Sequence, residues 1–168
     1  AGVRVMSGFN DYLCDYPLKA GCSLYSPEAI FVLRKTEDEV NFAMRTFVKE
    51  HIIRPEWQNT PRPVLINSWE SFFFDFNKKK MLDLCEEARK LGAELFVLDD
   101  GWYGKRDDDT SSLGDWTENT EKLGGTLKEV ADAVRSKNLD FGIWLEPEMV
   151  SRNSELFRAH PEYAMLDG

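Results

Sequence analysis

Aromatic and acidic side chains follow each of three short apolar runs in the second half of the chain. In order along the sequence, the residues that end these runs are Trp69, then Asp99, Asp100 and Trp102, then Trp144, Glu146 and Glu148. Tryptophan offers a flat apolar face with an N–H at its edge, and a carboxylate accepts hydrogen bonds from hydroxyl groups. Side chains of these two kinds around one rim suit the recognition of a neutral polyol such as a sugar.

The same residues also have structural interpretations, which the sequence leaves open. A tryptophan at the end of a strand is more often packed than functional. Asp99 and Asp100 can form a turn before Gly101, and successive strand residues point to opposite sides, so the two aspartates need not face the same ligand. Glu146 and Glu148 can equally be solvated loop charges.

The pattern of apolar residues predicts the elements that position these side chains. Runs at 64–66, 95–98 and about 139–145 predict strands, and two helical patterns separate them. Asn77 is suited to cap the first helix, which ends at Gly92, and Thr126 with Glu129 forms a capping box for the second. The helical stripes are Met81, Leu84, Cys85, Ala88 and Leu91 in the first helix, and Leu127, Val130, Ala131 and Val134 in the second.

The order β-α-β-α-β predicts an α/β fold with parallel strands. An open doubly wound sheet and a closed barrel both begin in this way, and in both the ligand binds beyond the carboxyl ends of the strands. No G-x-G-x-x-G sequence follows the first strand, which removes the strongest indication of a nucleotide site.

Residues 1–34 have a different texture, with β-branched and aromatic residues bounded by glycine and proline. They predict extended structure, as a hairpin or a sheet edge, with a turn at residues 19–21 and an apolar run at 29–33. Thr36 and Glu39 then have capping-box spacing and predict a helix from about 37 to 53, stopped before Pro55.

Composition restricts the class of protein. With 168 residues, 42% of them hydrophobic, the chain can bury a core, and its net charge of -9 disfavours nucleic acid and anionic membranes as partners. The acidic run 107–109 is interpreted as a solvated loop. No paired spacing supports a disulfide, metal or cofactor site among the cysteines and histidines, which are Cys14, Cys22, Cys85, His51 and His160. Free thiols, and the lack of a signal-peptide or membrane-span pattern, predict a cytoplasmic protein.

Four stretches carry a resemblance to a known family. They read PVLINSWESFFFDF, ELFVLDDGWYGKRDDDTSSLGDW, FGIWLEPEMVS and RAHPEYAM. In order and spacing they resemble the barrel domain of the bacterial α-galactosidases that are grouped with the raffinose synthases. The resemblance implies the end of an N-terminal β-sandwich at 1–35, a connecting helix and linker at 36–60, and the first β/α units of a (β/α)8 TIM barrel at 61–168.

The resemblance implies retaining hydrolysis of terminal α-linked galactose from sugars such as melibiose or raffinose. The residues it places in the galactose pocket are Trp69, Asp99, Asp100 and Trp144. The catalytic nucleophile and acid/base are expected beyond Gly168, because no Lys-Trp-Asp motif occurs, so the isolated chain is expected neither to turn over α-galactosides nor to fold stably. A homo-oligomer is implied for the full-length protein. The alternatives are a non-catalytic carbohydrate-binding or assembly segment and a relative that transfers galactose.

Overall fold

The computed structural model describes residues 4–10 and 16–165. The chain divides into two units, Ala1–Pro61 and Arg62–Gly168. Within the described residues, no helix combines the length and the apolar character needed to cross a bilayer.

The helix of the first unit is α1, Glu37–Phe47, and it widens into a π-helical turn over Val48–Ile52. The predicted cap is confirmed, since the Thr36 hydroxyl accepts a hydrogen bond from the backbone N–H of Glu39 at 3.3 Å. The carboxylate of Glu39 accepts from the N–H of Lys35, one residue before the position that a capping box would use. A short helix α2, Pro55–Gln58, follows.

The hairpin or sheet edge predicted for residues 1–34 is not found in the part of that segment that the structure describes, 4–10 and 16–34. The turn at 19–21 is confirmed, because the N–H of Cys22 donates to the carbonyl of Lys19 at 3.0 Å. Among the described residues no strand pairs with the apolar run at 29–33, and Phe31 and Leu33 are 68% and 90% exposed. Apolar β-branched residues favour a strand only when a partner strand supplies the hydrogen bonds. Cys14 lies outside the described residues.

The second unit contains a three-stranded parallel sheet, as predicted. Its strands are β1, Leu65–Asn67, β2, Leu95–Leu98, and β3, Asp140–Ile143, in the order β1-β2-β3. The register aligns Ile66 with Phe96 and Phe96 with Phe141. Because all three strands run in the same direction, their carboxyl ends meet at one edge of the sheet.

Two helices connect the strands and begin where the sequence predicts. Helix α4, Lys78–Lys90, is capped by Asn77, and α6, Leu127–Arg135, has the complete capping box of Thr126 and Glu129. Shorter helices lie between and beyond them: α3, Trp69–Phe72; α5, Thr120–Leu123; α7, Glu155–Ala159; and a 3-10 turn, Pro161–Tyr163.

The core lies between the sheet and these helices. Its members include Met81, Cys85, Ala88, Phe96, Leu98, Val130, Val134 and Leu139. The predicted helical stripes are confirmed except for Leu91, which is 89% exposed. That residue is the last of the helical pattern, but α4 ends at Lys90 and the chain turns away through Gly92 at φ +93°, so its side chain leaves the buried face.

Candidate functional site

Asn67 and Asp99 join the carboxyl ends of β1 and β2. The Asn67 side-chain Nδ2 donates to Asp99 Oδ2 at 2.5 Å, and Asp99 Oδ1 accepts from the backbone N–H of Asp100 at 2.7 Å. The buried hydroxyl of Ser68 accepts from the N–H of Asp99 at 3.0 Å. An ionised carboxylate offers about four acceptor positions. The bonds from Asn67 and from the N–H of Asp100 use two of them, which leaves the half-buried Asp99 carboxylate with capacity for hydroxyl groups.

Asp100 points into the protein, where it meets Arg106 and Tyr103. Its oxygens accept from Arg106 Nε at 3.1 and 3.0 Å, from Arg106 Nη2 at 2.8 Å and from the Tyr103 hydroxyl at 2.7 Å. The side chains of this ion pair are only 5% and 8% exposed. The two adjacent aspartates therefore have different surroundings, as expected when successive residues at a strand end point to opposite sides.

The electrostatics of this cluster follow from its burial. Burial and the hydrogen bond to Asp100 both raise the pKa of Tyr103, so its hydroxyl remains a donor. Burial opposes the charge on Arg106, but the hydrogen bonds and negative charge of Asp100 outweigh it and raise the pKa of the guanidinium. The cluster is therefore a charged pair with a neutral phenol beside it.

Trp69 is the first residue of α3, directly after the end of β1. Its backbone N–H donates to Asn67 Oδ1 at 2.7 Å. The half-buried indole meets the rings of Phe73 and Phe74 edge to face, with centroids 5.2 and 5.0 Å away. One asparagine side chain is thus bonded to the backbone of Trp69 and to the carboxylate of Asp99, which brings these two predicted pocket residues to the same edge.

Trp144 follows β3 and is tied to the end of β2. Its N–H donates to the carbonyl of Leu98 at 2.9 Å, and its own carbonyl accepts from Trp102 Nε1 at 3.0 Å. Trp144 is half-buried, with its ring centroid 6.4 Å from that of Trp116. Trp102, in contrast, is only 3% exposed, so of the two interpretations left open by the sequence, the packed one applies to it. Its indole N–H is used inside the protein.

The remaining acidic residues lie in the loops. Glu148 lines a cleft of about 500 Å³ together with Trp116 and Met149, whereas Glu146 is half-buried and is not among the residues of that cleft. The run 107–109 is exposed, with Asp107 paired to Lys122 at 2.8 Å, which confirms its interpretation as a solvated loop.

Sequence reasoning missed three residues that shape this edge, namely Asn67, Tyr103 and Arg106. Asn67 directly follows the first apolar run, and its position two residues before the candidate contact Trp69 was the available signal. Arg106 and Tyr103 gave none, because their contact with Asp100 depends on how the loop between β2 and α5 folds back.

Two glycines allow that loop to fold back. Gly101 has φ +99°, and a Cβ there would lie 3.1 Å from a Phe74 ring atom and 3.2 Å from the carbonyl oxygen of Arg106. Gly104 has φ +52°, and a Cβ there would lie 3.0 Å from the Cβ of Ser112. Both positions combine a left-handed backbone with a close approach, which only glycine tolerates without strain.

The fold and its edge define an α/β protein with a parallel sheet, in which aromatic and acidic side chains gather where the strands end. The chain belongs to the melibiase family, since the family model described as Melibiase matches residues 23–167.

Known proteins support this assignment. Alpha-galactosidase 1 of Pediococcus pentosaceus is 43% identical over 164 residues, which make up 97% of this chain and 22% of that protein. The chain spans about a fifth of the length of the curated relatives it matches. The GH36 α-galactosidase AgaB of Geobacillus stearothermophilus aligns with a TM-score of 0.67 and 48% identity, over 70% of this chain and 16% of that chain. A variant of AgaA from the same organism, solved in complex with raffinose, aligns with a TM-score of 0.67 and 47% identity over the same shares.

Proposed function

We propose that this chain is part of a retaining α-galactosidase that removes terminal α-linked galactose from oligosaccharides such as melibiose or raffinose. The observation that carries the proposal is the match to the melibiase family over residues 23–167, which includes the strand ends where Trp69 and Asp99 share the Asn67 side chain. The relatives are named α-galactosidases, and one of the similar structures holds raffinose.

In this proposal the three parallel strands are the first three of a (β/α)8 barrel, and residues 1–35 are the end of a β-sandwich. A barrel places its ligand at the carboxyl ends of the strands, which is the edge where these side chains lie. The barrel assignment is supported by the parallel order β1-β2-β3 with helices α4 and α6 between the strands.

The pocket residues of the proposal are Trp69, Asp99, Asp100 and Trp144. The indoles provide apolar faces for the C–H surface of the galactose ring, and the carboxylates accept hydrogen bonds from its hydroxyls. Asp99 has acceptor positions that no described residue uses, whereas Asp100 offers its oxygens from within the buried pair with Arg106. Nucleophilic and acid/base chemistry is assigned to carboxylates outside these four residues.

The proposal is tested on the natural gene product that contains these 168 residues. Turnover of a chromogenic α-galactoside and calorimetric binding of galactose are measured for the wild type and for Asp99→Ala and Trp69→Ala. Each variant is expected to weaken galactose binding by about tenfold or more, since each removes a direct contact worth on the order of 1.5 kcal/mol or more. Asp83→Ala, which changes an exposed carboxylate on α4, is the matched control and should bind as the wild type does.

Two outcomes would count against the proposal. Binding of galactose without turnover would favour a non-catalytic carbohydrate-binding segment. Equal affinity of the wild type and of Asp99→Ala would remove the pocket assignment, because the carboxylate would then have no contact with the sugar.

A further inference from the structure

The Asn67 side chain is bonded at both ends of its amide. Its Oδ1 accepts from the backbone N–H of Trp69 at 2.7 Å, and its Nδ2 donates to Asp99 Oδ2 at 2.5 Å. The orientation of the amide follows from its partners, because an N–H must face an oxygen and a carboxylate must face a donor. One planar group therefore links the start of α3 to the end of β2.

The position of Asn67 in the sheet explains how it reaches both partners. It is the last residue of β1 and lies in register with Val97 of β2. Asp99 follows Val97 by two residues, so it lies just beyond the end of the neighbouring strand. It is half-buried, so its bonds to the protein compete less with water than surface bonds do.

We propose that Asn67 is a positioning residue of the sugar pocket, which sets the placement of Trp69 and Asp99 relative to each other. The inference rests on the proposed function. A galactose ring that lies against the indole of Trp69 presents its hydroxyls at a fixed distance from that indole. The Asp99 carboxylate, which accepts from these hydroxyls, must therefore be held at a matching distance from the indole. The Asn67 amide holds it there.

The contacts at each end show what would be lost without this amide. The Ser68 side chain makes no capping hydrogen bond to α3, and the bond from Trp69 N–H to Asn67 Oδ1 gives the first turn of that helix a side-chain acceptor. At the other end, Asp99 Oδ1 is held by the N–H of Asp100. The bond from Asn67 to Oδ2 adds the second restraint that fixes the plane of the carboxylate.

The side-chain type is also restricted by these contacts. Aspartate has the same shape and keeps the acceptor for Trp69, but it replaces the donor with a negative charge beside Asp99. Leucine has a similar volume and removes both bonds. Comparison of the two substitutions therefore separates the contact with Asp99 from the contact with Trp69.

The test uses the natural gene product that contains this chain, with a chromogenic α-galactoside as the substrate. Asn67→Asp and Asn67→Leu are expected to raise KM by about tenfold and to change kcat by less than about twofold, because loss of binding that is equal in the ground and transition states appears in KM alone. The matched control is Asn119→Asp. Asn119 is also bonded at both ends of its amide, to the carbonyl of Gly104 and the N–H of Lys122, neither of which is a pocket residue.

A double-variant cycle identifies the route of the effect. In an Asp99→Ala background, Asn67→Asp should raise KM by less than about twofold, because the carboxylate that it would displace is absent. A purely structural residue would instead lower the folded fraction. It would reduce kcat per total protein, leave KM unchanged, and act equally in both backgrounds.

The outcomes separate the inference from the function on which it rests. If the wild type turns over the galactoside and the Asn67 variants keep its KM, the positioning role is wrong and the proposed function stands. If the wild type neither binds galactose nor turns over the substrate, the proposed function and the positioning role both fall. A raised KM in Asn119→Asp equal to that in Asn67→Asp would also overturn the inference.

Discussion

Removal of Arg106 is expected to destabilise the sheet end far more than removal of an exposed cation. Its guanidinium and the Asp100 carboxylate are 5% and 8% exposed. They share three N–H···O contacts, made by Arg106 Nε and Nη2, and the Tyr103 hydroxyl is a third donor to the carboxylate. Arg106→Met would leave that carboxylate buried with one neutral donor in place of its charged partner. Breaking a buried ion pair from one side costs about 3–5 kcal/mol.

An exposed pair provides the matched control. Lys128 and Asp132 lie one turn apart on α6, with side chains 82% and 52% exposed. A surface pair of this kind contributes about 0.3–0.5 kcal/mol, so Lys128→Met should have a small effect. The two substitutions remove the same kind of charge and introduce the same side chain.

Hydrogen–deuterium exchange of peptides that cover residues 95–119 measures the expected difference locally. Because each 1.4 kcal/mol is a factor of ten, Arg106→Met should reduce protection there by about 2 to 3.5 orders of magnitude, and Lys128→Met should leave it unchanged in those peptides. The double variant Asp100→Leu/Arg106→Met should lose less protection than Arg106→Met alone, because it leaves no unpaired charge.

An Arg106→Met protein with wild-type protection over 95–119 would show that the buried ion pair does not stabilise this end of the sheet. A double variant as unstable as the sum of the two single variants would show that no unpaired charge was relieved. In that case the cost would come from lost packing and not from an uncompensated charge.

Three further predictions concern the rest of the second unit. Thr126→Ala should destabilise α6 by about 1 kcal/mol in urea unfolding, because it removes the cap of that helix. Hydrogen bonds from Thr126 also lower the pKa of Glu129. The stability that the Glu129 carboxylate contributes is therefore present above its ordinary pKa and is lost as the pH falls through the lowered pKa. Gly101→Ala should cost about 1–3 kcal/mol by the same measurement, because of its positive φ and the crowded space for a Cβ. Burial raises the pKa of the Cys85 thiol to about 11, so iodoacetamide at pH 8 should label exposed Cys22 and leave Cys85 unmodified until the protein unfolds, as mass spectrometry would show.

Much of the second unit could be predicted from local patterns. The strand β2 and the starts of α4 and α6 follow from an apolar run, an Asn77 cap and a capping box, all of which act within a few residues. Parallel pairing followed from the helical connections, because two parallel strands cannot be joined by a tight turn. The same reasoning failed for residues 29–33, since a strand needs a partner that local pattern does not provide.

The sequence by itself determined which side chains follow the strands, because strand ends are set by apolar runs and the residues after them. Only the tertiary structure decided the surroundings of each of these side chains. Trp102 is buried and donates its indole N–H to the Trp144 carbonyl, Asp100 accepts from Arg106 and Tyr103, and Asp99 has acceptor positions that no described residue uses. These differences arise from contacts between residues that lie 6 to 42 positions apart. Such contacts depend on how the loops fold back, which no spacing within a short segment encodes.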